Sequence, residues 1–166
     1  MPILLDNLTS YSRRFNSTTY IFDSIFRRKR AFLCHSHKDA EYITGFAQYL
    51  KEENIDVYID WQDSTMPEKP NRETAEKIQR KIEQADYFFF LATPNAVQSR
   101  WCPWEIGYAD GVKLYESIFI IPTIDRSGNF YGNEYLQLYQ KIDITEQGVL
   151  AYSYPNSYNS KNMSTL

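Results

Sequence analysis

Cysteine is scarce in this chain. Cys34 and Cys102 stand far apart and lack metal-type spacing, which suits a reducing cytoplasm better than a secreted fold stapled by disulfides. Long apolar runs are missing as well. The longest, "YFFFLA" and "IFIIP", are far too short to cross a bilayer, and the N-terminus has no continuous apolar core of the signal-peptide kind. A cytoplasmic protein without a membrane segment is expected. Basic residues are not in excess either: 18 Lys and Arg against 21 Asp and Glu leave a net charge of -3, which argues against a dedicated nucleic-acid binder. The one basic run, "RRKR" at 27–30, reads as a solvated helix end. Nor is there a G-x-G-x-x-G after a strand or a G-x-x-x-x-G-K loop, which argues against a redox dinucleotide fold and a phosphate-loop enzyme. The central strand lacks the terminal aspartate of a phospho-receiver, and no Ser/His/Asp elbow occurs.

What is present is aromatic. Fourteen tyrosines lead a 16% share of rings, which favours a ring-lined site or interface, although rings also fill cores. The 166 residues fit one domain. Residues 1–29 read as a helical extension, with Leu4, Leu8, Tyr11, Phe15, Phe22 and Phe26 at spacings near three, four and seven. From residue 30 to 152, short apolar runs alternate with amphipathic segments. Strands are expected at "AFLCHS" (31–36), "DVYID" (56–60), "YFFFLAT" (87–93) and "SIFIIPTID" (117–125), with a further one at "KIDI". Ser36 and Asp39 have capping-box spacing before a helix faced by Ile43, Phe46, Ala47 and Leu50. "RETAEKIQRKIEQA" makes another helix, with Ala75, Ile78, Ile82 and Ala85 inward. This alternation predicts an α/β fold with a mostly parallel sheet of about five strands flanked by helices. Residues 153–166 read as a disordered tail.

In such a sheet, ligands gather beyond the strand ends. "CHSHKD", "IDWQD" and "SRWCPWE" all fall there, so Ser36, Asp60, Trp101 and Glu105 can converge. Glu105 admits two readings. If Pro103 is the first helical position, Glu105 is the third, where a carboxylate favours the helix dipole and can bond backwards to orphan amides. Alternatively, Trp101, Glu105, Tyr108, Val112 and Tyr115 form one stripe, and a carboxylate among rings loses hydration and becomes a candidate for work at a developing positive charge. Asp60 is equally divided between capping a turn and binding a ligand. His35 and His37 lack further ligands nearby in sequence, so no metal site is expected. The long connection "WQDSTMPEKPN" has the length of a lid or contact surface.

From residue 31 to about 145 the chain resembles a bacterial Toll/interleukin-1 receptor (TIR) domain. "AFLCHSHKDAEYI" is similar to that family's first strand and loop, with cysteine at residue 34 where many members have serine. "VYIDWQD" resembles its second strand, "STMPEKPNRETAEKI" its variable BB loop, and "SRWCPWEIGYA" its S-x-W-C-x-x-E pattern. In length and layout the chain resembles the free-standing TIR component of the Thoeris antiphage system. The resemblance implies a flavodoxin-like fold and cleavage of NAD between ribose and nicotinamide. Glu105 would be catalytic, and Ser36, Asp60, Trp101 and Trp104 would bind substrate. It further implies NAD as substrate rather than cofactor, self-association through TIR surfaces, and a cyclic or linear ADP-ribose signal acting on a separate effector, with neither nucleic acid nor membrane as partner. Two rival functions remain: a non-catalytic TIR scaffold, and a nucleoside deoxyribosyltransferase-like enzyme.

Overall fold

The computed structural model describes residues 1–14, 28–64, 69, 71–145, 150–157 and 159–166. Five strands make the parallel frame: β2 (Lys29–Cys34), β3 (Ile55–Tyr58), β4 (Tyr87–Ala92), β5 (Ile118–Ile124) and β7 (Gln140–Ile144), ordered β3-β2-β4-β5-β7. This is the flavodoxin-like 2-1-3-4-5 order, whose reversal of direction lies between its first and third strands, here β2 and β4. The sheet extends beyond the five expected strands. β8 (Leu150–Ser153) and β9 (Ser160–Asn162) add antiparallel to β7, and β6 (Phe130–Tyr131) folds back on β5.

β4 explains the architecture, because its alternate residues feed two cores. Phe89 and Leu91 join Ile43, Phe46 and Leu50 of helix α2 (Ala40–Glu52). Phe88, Phe90 and Ala92 join Ile78 and Ile82 of α3 (Arg72–Gln84) and Ile106 and Ala109 of α5 (Cys102–Val112). A strand buried on both faces needs apolar residues at every position, and "YFFFLA" supplies them. A single helical turn, α4 (Pro94–Val97), follows β4, capped by Thr93.

Three expectations change. The expected N-terminal helix is present as α1 (Leu5–Arg14), which packs on α2 with Leu8 fully buried, but it is preceded by a strand that joins the sheet, β1 (Ile3–Leu4), parallel to β5. The approach is close enough that a Cβ on Gly45 would lie 1.9 Å from the Leu8 carbonyl oxygen. Phe15, Phe22, Phe26 and the Tyr11 side chain lie outside the described residues. The basic run begins a strand instead of ending a helix, with the Arg30 amide donating to Asp86 and its guanidinium to the Gln84 carbonyl. The expected disordered tail forms β9 and a 3₁₀ turn, Met163–Thr165, anchored by buried Met163 and by the Tyr87 hydroxyl donating to the Leu166 carbonyl. Its Ser- and Asn-rich composition hides a strand whose side chains are all exposed. Among the described residues, no helix is long and apolar enough to cross a membrane.

Candidate active site

A cleft of about 610 Å³ opens at the carboxyl ends of β2 and β3, beside the switch point, and its size is that of a small-molecule site. Ser36, Asp60, Trp101 and Glu105 all line it, so four of the five residues singled out from the sequence converge. Trp104 does not. It is 37% exposed and lines a shallower neighbouring groove with Arg72, Gln79 and Arg100, while its ring meets Trp101 edge-on at 5.4 Å and stacks with Tyr108. Trp101 borders both cavities.

Glu105 is placed by the start of α5. The Ser99 hydroxyl accepts from the amides of Trp101 and Cys102, which would otherwise lack partners, and the helix then runs from Cys102 with Pro103 in its first turn. Glu105 therefore sits one position later than the capping reading requires, and its amide already donates to the Trp101 carbonyl in a regular helical bond. The stripe reading also needs correction. Val112 and Tyr115 are exposed, and Tyr115 lies beyond the end of α5. Glu105 shares its buried face with Cys102, Ile106 and Ala109 instead. The carboxylate is thus set where an apolar core meets the cleft, only 6% exposed. Burial dominates its acidity: it pushes the carboxyl up to about 7, with the Asp60 charge adding to the rise while the Cys34 thiol and the two histidines oppose it. Cys34 is itself buried, and burial followed by its neighbours Cys102 and Glu105 keeps the thiol protonated.

Asp60 behaves in the opposite way. It starts a 3₁₀ turn after β3, where one carboxylate oxygen accepts from the Trp61 amide. Burial alone would raise its pKa, but the two imidazoles facing the carboxylate outweigh burial and hold it well below the usual carboxylate range. His37 Nε2 lies 2.7 Å from Asp60 Oδ2, and His35 Nε2 lies 3.2 Å from Oδ1. The same hydrogen bond raises the His37 pKa against the effect of burial. The cleft therefore holds two carboxyl groups whose environments push them apart, one poised near neutrality and one firmly ionised, a pattern concentrated at functional sites.

Several participants were not apparent from the sequence. Trp61 lines the cleft and stands at right angles to the rings of His35 and His37, 4.6 and 6.1 Å away between centroids. Its position next to Asp60 in "IDWQD" was the available signal. Asp39, expected to complete a capping box, makes no side-chain cap bond and is buried. Thr93 and Asn95 donate to its two oxygens, so the loop after β2 is tied to the loop after β4. Ser36 does cap, accepting from the Lys38 amide at the start of the 3₁₀ turn His37–Asp39.

Comparison with known proteins agrees with this architecture. A family model described as "TIR domain" matches residues 31–153. A Bacillus cereus (strain MSX-D12) protein named as a 3′ cyclic ADP-D-ribose synthase, ThsB′, is 36% identical over 115 residues, which are 67% of this chain and 58% of that protein. A Cytobacillus dafuensis protein named as cyclic ADP-D-ribose synthase TIR2 is 27% identical over 99 residues, 58% of this chain and 26% of its own. Both names give the activity as assigned by inference. Toll-like receptor 6 of Homo sapiens is 29% identical over 80 residues, 48% of this chain and 10% of the receptor. The chain thus spans less than two thirds of each of these relatives. The family model runs from within β2 to the end of β8 and takes in the cleft and its glutamate, and on that match the chain belongs to the TIR-domain family.

Proposed function

We propose that this chain cleaves NAD at the bond between ribose and nicotinamide, releasing a cyclic or linear ADP-ribose that signals in bacterial antiphage defence. The observation that carries this reading is Glu105, a nearly buried carboxyl at the wall of the cleft with its pKa raised to about 7. The two synthase names among the relatives, and the layout shared with the Thoeris TIR component, support the same substrate and setting.

The chemistry suits one carboxylate. Nicotinamide in NAD is already cationic and departs as a neutral pyridine, taking the electron pair of the broken C–N bond, so it needs no general acid. Positive charge develops on the ribosyl ring, as in glycoside hydrolysis. A preorganised carboxylate in a partly dehydrated cleft stabilises that charge, and Glu105 fills this role. Trp101 walls the ribose, while Ser36 and Asp60 hold hydroxyls. Attack at the anomeric carbon by water gives ADP-ribose and a proton; attack by another atom of the same nucleotide gives a cycle. NAD is consumed as substrate, and the reaction requires no further cofactor. The chain works in the cytoplasm, and its product acts on a separate effector. Self-association through TIR surfaces supports the active form, so activity per molecule falls on dilution.

Mass spectrometry of nucleotides formed from NAD tests the reading. Nicotinamide together with linear or cyclic ADP-ribose is expected. Transfer of deoxyribose from deoxyinosine to adenine, with NAD left intact, would establish the deoxyribosyltransferase instead. Intact NAD at high protein concentration, with no transfer, would favour a scaffold.

A further inference from the structure

We infer that His35, His37 and Asp60 form a binding site for a zinc-type divalent cation on the wall of the cleft. One ligand atom from each lies within 4.8 Å of the other two. The three are brought together by the fold: His35 follows the end of β2, His37 opens the 3₁₀ turn after it, and Asp60 follows β3.

The tautomer of His35 makes the argument. Its Nδ1 lies 2.6 Å from the Leu33 carbonyl oxygen, which can only accept, so Nδ1 carries a proton. A ring N–H donated to a backbone carbonyl is the arrangement that orients metal-binding histidines. Nε2 is buried and has no aligned hydrogen bond, although it lies 3.2 Å from Asp60 Oδ1. A nitrogen lone pair facing a carboxylate oxygen needs a positive centre between them. A proton is one such centre. A dication engages His37 Nε2 as well, which lies 2.7 Å from the other oxygen of the same carboxylate.

The dimensions fit. Bonds of about 2.0–2.2 Å around a tetrahedron place ligand atoms about 3.3 Å apart. The His35–Asp60 spacing of 3.2 Å already matches, and His37, with its side chain 68% exposed, can rotate to reach it. Two imidazoles and one carboxylate favour zinc over calcium or magnesium, which prefer oxygen alone. Trp61 packs at right angles to His35, 4.6 Å between ring centroids, and holds that ring in place. Three protein ligands leave a fourth position for water or a ligand oxygen, as at zinc sites that remain open.

The test uses the full chain without a polyhistidine tag, stripped of metal with a chelator and titrated with zinc or with cobalt(II). One cation per chain is expected, with the visible absorption of tetrahedral cobalt and a higher melting temperature. His37→Ala should melt like the wild type without metal, bind more than about tenfold more weakly, and lose the rise in melting temperature. Asp60→Asn should weaken binding similarly. Absence of binding, binding retained in His37→Ala, or a thiolate-to-cobalt charge-transfer band pointing to cysteine ligation would each overturn the site. These readouts are independent of NAD cleavage, so failure of that reading leaves them intact.

Discussion

The two faces of the sheet obey different rules. Under α1 and α2 the core is hydrocarbon: Ile3, Leu8, Ile43, Phe46 and Leu50 are fully buried, and Gly45 lets the two helices meet. Under α3 and α5 the same kind of core is interrupted by Glu105, whose burial disfavours its charged form. One face is built for stability. The other holds a carboxylate away from water, a cost that a purely structural face has no reason to carry.

Gly45→Ala should break the first face. In an ordinary helix this change stabilises by about 1 kcal/mol. Here the new Cβ would fall 1.9 Å from a backbone oxygen. Parting α1 from α2 should cost about 3 kcal/mol, read from denaturant unfolding. The opposite sign is expected on the second face. The folded-state pKa of Glu105 is about 7 against an ordinary value of 4.5. The contribution of Glu105 to stability is therefore greatest below 4.5 and falls as pH rises toward 7, where the folded state must ionise a buried group. Glu105→Gln removes that loss and should gain up to about 3 kcal/mol at pH 8 but almost nothing at pH 4. Thermal melts of the two proteins across this range give the comparison.

The same pKa sharpens the functional side. If the ionised carboxylate does the work, kcat/KM for NAD should fall about tenfold per pH unit below a midpoint near 7. The smallest effect is expected for Cys34→Ser. A hydroxyl is a stronger donor to Glu105 than a thiol, so the midpoint should move down by less than about one unit, with folding retained.

The parallel frame was legible because β4 and β5 are short apolar runs, and β2 ends in one, separated by amphipathic helices. Glu105 was legible from its spacing to Trp101, although its capping position was not, because Ser99 rather than Pro103 sets where α5 begins. β9 was hidden by its wholly exposed side chains, and β1 by its length of two residues. The pairing of Asp60 with His35 and His37 joins groups more than twenty residues apart, and only the adjacency of β2 and β3 brings them together. Trp104 looked equivalent to Trp101, yet three residues of helix carry it out of the cleft into the neighbouring groove.

Nicotinamide release from NAD by wild type and Glu105→Gln, at equal concentration and at pH 8, tests the central claim most directly. The account predicts release by the wild type, a loss of about 1,000-fold or more in the variant, and a melting temperature for the variant no lower than the parent's. Equal release by both proteins, with both folded, would contradict it.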